Sequence, residues 1–236
     1  MQTRSKQAIG TAIFLVGLVI TLGLALAPTW GDFEGMSYFS SGAGYGPFGG
    51  LHCPVLMGRS DTATISATLD NNSNKETQPY YEVEVSGVSA TRKLEGQVTL
   101  PPHSSKTVEW SVGPNDIDLG YFIMNKIDLL PFAGNPTREA TCGIMVLNLG
   151  GLSGGQIQAW GLAIGLIGMV AGLAVREGTQ EVLSPKELNT RNGLRATGVA
   201  ASLAMLTGFM GWWAFAMILC AITVLLAVIL LRFAAA

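Results

Sequence analysis

The chain has 236 residues, 49% of them hydrophobic and only 13% charged, with a formal net charge of −2. A soluble globular chain carries about 25% charged residues, so an ordinary water-soluble domain is excluded for much of the length. With no basic surplus, nucleic acid is not an expected partner.

The shortage of charge is local. Residues 8–27, 157–175, 196–210 and 214–231 contain no Asp, Glu, Lys, Arg or His. A hydrocarbon core about 30 Å thick takes roughly 20 apolar residues as helix, with a lower limit near 17. The expected fold class is therefore a membrane α + β protein. It has four transmembrane helices (8–27, 157–175, 196–211 and 214–231) and an extracytoplasmic antiparallel β-sandwich inserted between the first two. The third run reaches spanning length only when Leu194 or Gly211 is counted.

The flanks set an orientation. Arg4, Lys6, Arg176, Lys186, Arg191, Arg195 and Arg232 outnumber Glu177, Glu181 and Glu187 in 1–7, 176–195 and 232–236. Basic flanks stay in the cytoplasm, so both termini are expected inside a cell (inner or plasma) membrane. The acid-rich stretch 51–150 is expected outside, in a bacterial envelope.

Residues 1–27 also have the layout of a secretory signal, ending in Ala25, Leu26 and Ala27 as a small-x-small site. Pro28 directly after that site is a poor substrate conformation, and the segment is expected to be retained as the first span.

From 28 to 50 the chain is rich in glycine and aromatic residues and holds no period. It is expected to be a loop, with at most one short helical turn near Asp32–Phe39. Phe33, Tyr38, Phe39, Tyr45 and Phe48 either rest at the lipid headgroups or form a docking surface for a partner subunit.

Period-two alternation then marks half-buried strands. Ala63, Ile65, Ala67 and Leu69 form one inward set, Tyr81, Val83 and Val85 a second, and Val108, Trp110 and Val112 a third. Weaker candidates lie at 96–100, 121–130 and 141–149. Turn residues at 70–74, 101–102 and 113–115 punctuate them, so six or seven strands are expected to form a sandwich with Greek-key connections. The run Leu100-Pro101-Pro102-His103, followed by Val108-Glu109-Trp110-Ser111-Val112, resembles the late hairpin of bacterial immunoglobulin-like modules of the CARDB type. In those modules a leucine, a Pro-Gly turn and a V-x-W/F-x-V strand recur; here His103 stands where glycine is usual. The resemblance implies a binding or spacer role and no chemistry.

Cys53 and Cys142 bracket this stretch, and outside the cytoplasm such a pair is expected to be oxidised. An alternative is a copper-type site from His52, Cys53 and Met57, whose further ligand would have to be the distant His103. Asn115, Asp116 and Asp118 could offer oxygens to calcium. Asn71-Asn72-Ser73 fits the glycosylation sequon.

In the second span Gly161, Gly165, Gly168 and Gly172 fall on one helical face, and in the third Thr197, Ala201, Ala204 and Gly208 do so. Small residues let helix backbones approach closely. The two faces are expected to pack on each other, or else to offer a groove to another subunit or to membrane lipid. Ser184-Pro185-Lys186-Glu187 has the form of a capping box. Trp30, Trp160, Trp212 and Trp213 all fall at predicted outer ends, as an aromatic belt requires. Trp110 is a candidate for the sandwich core.

The spans lack the ionisable groups of pumps, both histidines lie outside them, and there is no P-loop, HExxH or GxSxG set. No enzyme activity, cofactor, resident metal or small-molecule substrate is expected. The composition points to a non-catalytic accessory or structural subunit, partnered by lipid and other membrane subunits, that braces or covers the outer face of a complex. A stand-alone surface binding or adhesion protein, and a passive pore or lipid-handling protein, are the alternatives.

Overall fold

The computed structural model describes residues 2–40, 46–47, 50–130, 138–178 and 185–235. It forms two compact units, one from Met1–Thr29 with Gln158–Ala236, the other from Trp30–Ile157. Among the described residues three helices are long and apolar enough to cross a membrane: Ser5–Tyr38, Gly154–Glu177 and Trp213–Leu230.

The first unit holds most of α1 (Gln2–Tyr38) and α2 (Gly154–Glu177), with all of α3 (Pro185–Phe209) and α4 (Trp213–Ala235). Phe14, Leu18, Met169, Leu194 and Ala201 form its core. The hydroxyls of Thr21, Thr29, Thr197 and Thr223 are buried, and each donates to the carbonyl four residues earlier. That bond removes the cost of an unsatisfied polar atom among apolar neighbours. Helix α3 is only half apolar: its first half carries Glu187, Arg191 and Arg195. Two residues past its end stands Gly211 (φ +75°), in the left-handed region that favours glycine.

The second unit is a β-sandwich. Among the described residues its strands are β1 (Gly46–Pro47), β2 (Leu51–His52), β3 (Leu56–Gly58), β4 (Ala63–Asn71), β5 (Tyr80–Val85), β6 (Arg92–Gln97), β7 (Ser104–Val112), β8 (Phe122–Leu129) and β9 (Arg138–Leu147). One sheet has the order β2-β4-β7. The other runs β1-β9-β8-β5-β6, with β3 also pairing β9. Pairing is antiparallel except that β1 and β3 lie parallel to β9. The inner faces meet in one core of Ile65, Ala67, Trp110 and Val112 from the first sheet, and Val83, Val85, Ile123, Ile127, Ile144 and Val146 from the second. Inside it Trp110 Nε1 donates to Asn125 Oδ1 at 3.3 Å, joining the two sheets.

Two elements depart from the sequence reading. The segment 31–38 is helix: α1 runs unbroken to Tyr38 and tolerates Pro28 in its interior. Strand β6 occupies Arg92–Gln97, ahead of the expected 96–100, where Leu100 makes only an isolated bridge to Thr77. Its one large apolar residue, Leu94, gives no alternation to read. His103 has φ +50°, the left-handed region that glycine would enter without strain.

Candidate functional site

Two sets of close backbone approaches distinguish this molecule. In the first unit the glycine face of α2 lies against α1. A Cβ on Gly17 would stand 2.6 Å from the Gly165 carbonyl oxygen, and one on Gly172 would stand 2.5 Å from the Phe14 nitrogen. Gly10 opposes Gly172, Gly161 meets Leu24, and Gly165 meets Thr21. The partner of this face is thus α1, where α3 or an external groove was expected. Spacing defines a face but does not name its neighbour.

On α3, Thr197, Ala201 and Ala204 are fully buried, Gly198 faces the Phe14 ring, and Gly208 approaches the Ala25 carbonyl. Arg176 Nη1 donates to Thr11 Oγ1 at 2.7 Å, and Arg195 makes two bonds to Glu177 at 2.9 and 2.7 Å. Ser184 of the expected capping box lies outside the described residues.

The outer faces of these helices stay uncovered. Trp160, Ile164, Ile167 and Val170 of α2, Val199, Leu203 and Leu206 of α3, and Phe215, Ile218 and Leu225 of α4 are all exposed. So are Trp212 and Trp213.

The second set belongs to the sandwich unit. Gly31 and Gly35 of α1 lie on Gly143 and Cys142 of β9, and a Cβ on Gly35 would stand 2.9 Å from the Cys142 carbonyl. Gly154, the first residue of α2, lies on the backbone of Leu56 and Met57 in β3. Asp61 fixes that junction: its Oδ2 accepts from the Gly58 N–H at 2.8 Å and the Gly154 N–H at 2.7 Å. A carboxylate at a helix N-terminus is also favoured by the helix dipole. Ser153 and Gln156 complete the start of α2 with reciprocal bonds at 3.0 and 3.3 Å, a capping box that straddles the Gly154-Gly155 pair.

Within the sandwich unit, Gly31 and Gly35 of α1 and Gly154 of α2 therefore all meet the β3–β9 edge. The Cys53–Cys142 disulfide is formed at that edge, across a separation of 89 residues. With its thiol so used, Cys53 cannot ligate copper, and His103 is engaged with Asn74. Asp116, offered above to calcium, is held by Arg92 at 3.2 Å and by the Gly113 N–H at 2.8 Å. Among the described residues no three His, Cys, Asp or Glu side chains converge as a metal site.

Trp30, Phe33 and Tyr38 are exposed along α1, with the Trp30 and Phe33 rings 6.2 Å apart, while Phe39 is half-buried. Tyr45 and Phe48 lie outside the described residues. On the outer face of the larger sheet Lys126 pairs with Asp128 at 2.9 Å and with Glu139 at 3.7 Å. Burial raises the Asp128 pKa above the usual carboxylate range, against the opposing pull of Lys126.

No family model matches the chain, and no curated protein does. Among solved structures, a cycloisomaltooligosaccharide glucanotransferase from Paenibacillus sp. aligns at 15% identity and a TM-score of 0.35, covering 43% of this chain and 14% of that one. The β-glucosidase EmGH1 from Erythrobacter marinus aligns at 21% and 0.29, covering 44% and 15%. The sporulation control protein Spo0M from Bacillus subtilis aligns at 10% and 0.31, covering 42% and 47%. In each case the match spans less than half of the other protein's length. Likenesses this slight assign neither family nor activity.

Proposed function

We propose that the chain is a multi-pass inner- or plasma-membrane protein with both termini in the cytoplasm, an extracytoplasmic sandwich and no catalytic role. It acts as an accessory subunit of a larger membrane complex, whose outer face the sandwich braces or covers. In this reading α3 is a fourth span. Its polar first half sits at the cytoplasmic side with Arg176 and Glu177, and its charge-free second half pairs with α4.

One observation carries the reading. The small-residue faces are already filled within the chain, yet large apolar side chains remain exposed along α2, α3 and α4. Such surface needs lipid or a partner helix against it. A pore lined by the glycine face of α2 is disfavoured, because α1 occupies that face. The strand order, with β3 leaving β2's sheet to pair with β9, supports an immunoglobulin-like reading of the sandwich.

A photo-crosslinking residue at Ile167 or Val170, activated in intact cells, tests the subunit role. A defined adduct with one integral membrane protein, kept in stoichiometric amount after mild detergent extraction, is the expected result. A monodisperse monomer with no adduct at either position sinks it.

A further inference from the structure

The β3–β9 edge, where α1 and α2 both join the sandwich, continues past the strand ends into a recess of about 250 Å³. Arg59 and Ser60 after β3 form one wall, and Asn148, Leu149 and Leu152 in the turn after β9 form the other. Leu149 is 51% exposed and Leu152 38% exposed, so two large apolar side chains stand side by side at this recess. Arg59 is also exposed, and no ion pair forms to it among the described residues. The nearby Asp61 is committed to the Gly58 and Gly154 amides.

We propose that this recess binds an outer-leaflet glycerophospholipid, with the Arg59 guanidinium on the phosphate and Leu149 and Leu152 among the upper acyl carbons. The proposal rests on the membrane reading above. Chain reach supports the location: Leu152 precedes Ile157, the first residue of the expected second span, by five positions. Two extended residues and a helical turn cover at most about 12 Å, and a headgroup layer is roughly 5–7 Å deep on each side. A guanidinium offers forked donors that match phosphate oxygens, and an adjoining leucine pair is what separates a lipid site from one for a soluble anion.

The test uses the full chain with Cys220→Ala, reconstituted in vesicles of phosphatidylcholine and phosphatidylglycerol. Nitroxide labels go on Leu149→Cys and, as a control, on the exposed α2 position Val170→Cys. Accessibility to oxygen against a water-soluble nickel chelate should place Val170 in the acyl region and Leu149 at the headgroup boundary. An aqueous Leu149 with a lipid-facing Val170 overturns this inference alone, whereas an aqueous Val170 overturns the membrane reading too.

Native mass spectrometry reads the phosphate contact. Arg59→Ala should retain about fivefold less phosphatidylglycerol, the effect of one basic residue at an anionic surface, and Arg59→Lys should restore most of it. Unchanged retention, or displacement of the lipid by inorganic phosphate, overturns the assignment.

Discussion

Gly143 of β9 lies directly on Gly31 of α1, so close that a methyl group on either would overlap the other's backbone. No flexible side chain stands between them to give way, so the contact admits only hydrogen at both positions. Gly143→Ala and Gly31→Ala should each destabilise the sandwich unit by at least the roughly 1–3 kcal/mol typical of overpacking. Tryptophan fluorescence melts of the purified chain check this, and a variant melting like wild type would show that the α1 contact is not formed.

The α1–α2 seam makes a second comparison. Gly172→Leu and Gly17→Leu should lower the melting temperature sharply, since each new side chain meets backbone atoms. Gly23, on α1, faces open space, and a methyl group added there would meet no neighbouring element within 4 Å. Gly23→Ala should therefore be neutral or slightly stabilising through helix propensity, by about 0.5–1 kcal/mol. Equal effects at Gly23 and Gly172 would contradict the seam.

Asp61→Ala removes the acceptor of two amide bonds and leaves the start of α2 and the end of β3 without it. Bonds to a charged group contribute about 1.5–3 kcal/mol each. Hydrogen exchange should speed at Gly58 and Gly154 and remain unchanged in β4 and β7. Unaltered protection at both amides would refute the assigned bonds.

Reducing or deleting the Cys53–Cys142 bond should cost roughly 4–5 kcal/mol in the chain-entropy account of a loop this long. Cys53→Ser with Cys142→Ser, followed in urea, measures it. A midpoint unchanged from wild type would mean that the bond restrains little.

Asp128 gives a pH dependence. Its folded-state pKa is raised by burial, so the folded chain holds that proton more tightly than the unfolded chain does. The associated stabilisation is present below the ordinary aspartate value of about 3.9 and is lost as pH rises through the higher folded value. Melting temperatures of wild type and Asp128→Asn should therefore diverge over that window, with the variant holding its stability to higher pH. Parallel curves would contradict the burial.

Strands β4, β5 and β7 were legible because Ile65, Val83 and Trp110 head clean alternations, and each is buried in the common core. Strand β6 was not, because Leu94 stands alone among Arg92, Lys93, Glu95 and Gln97, as an edge strand can afford. The tail of α1 was hidden for another reason. Gly31 and Gly35 signal a turn when read locally, and only a neighbouring backbone, supplied by Cys142 and Gly143, turns them into a helical packing face. Likewise the four α2 glycines were visible as a stripe, but their complement Gly10, Gly17 and Thr21 is spread over a helix whose own pattern shows no stripe. Local signals survive in a sequence, and long-range partners do not.

The disulfide has a mechanical consequence. Because Gly31 and Gly35 meet β9 at Gly143 and Cys142, and Gly154 meets β3 at Leu56 and Met57, a pull applied to the two ends of the sandwich unit reaches the covalent bridge before most of the strand ladder. The residues enclosed between Cys53 and Cys142, about 300 Å of contour if drawn out, are held in reserve behind that bridge. Under tension the oxidised protein lengthens only through its short connecting segments, and the reduced protein can unravel strand by strand.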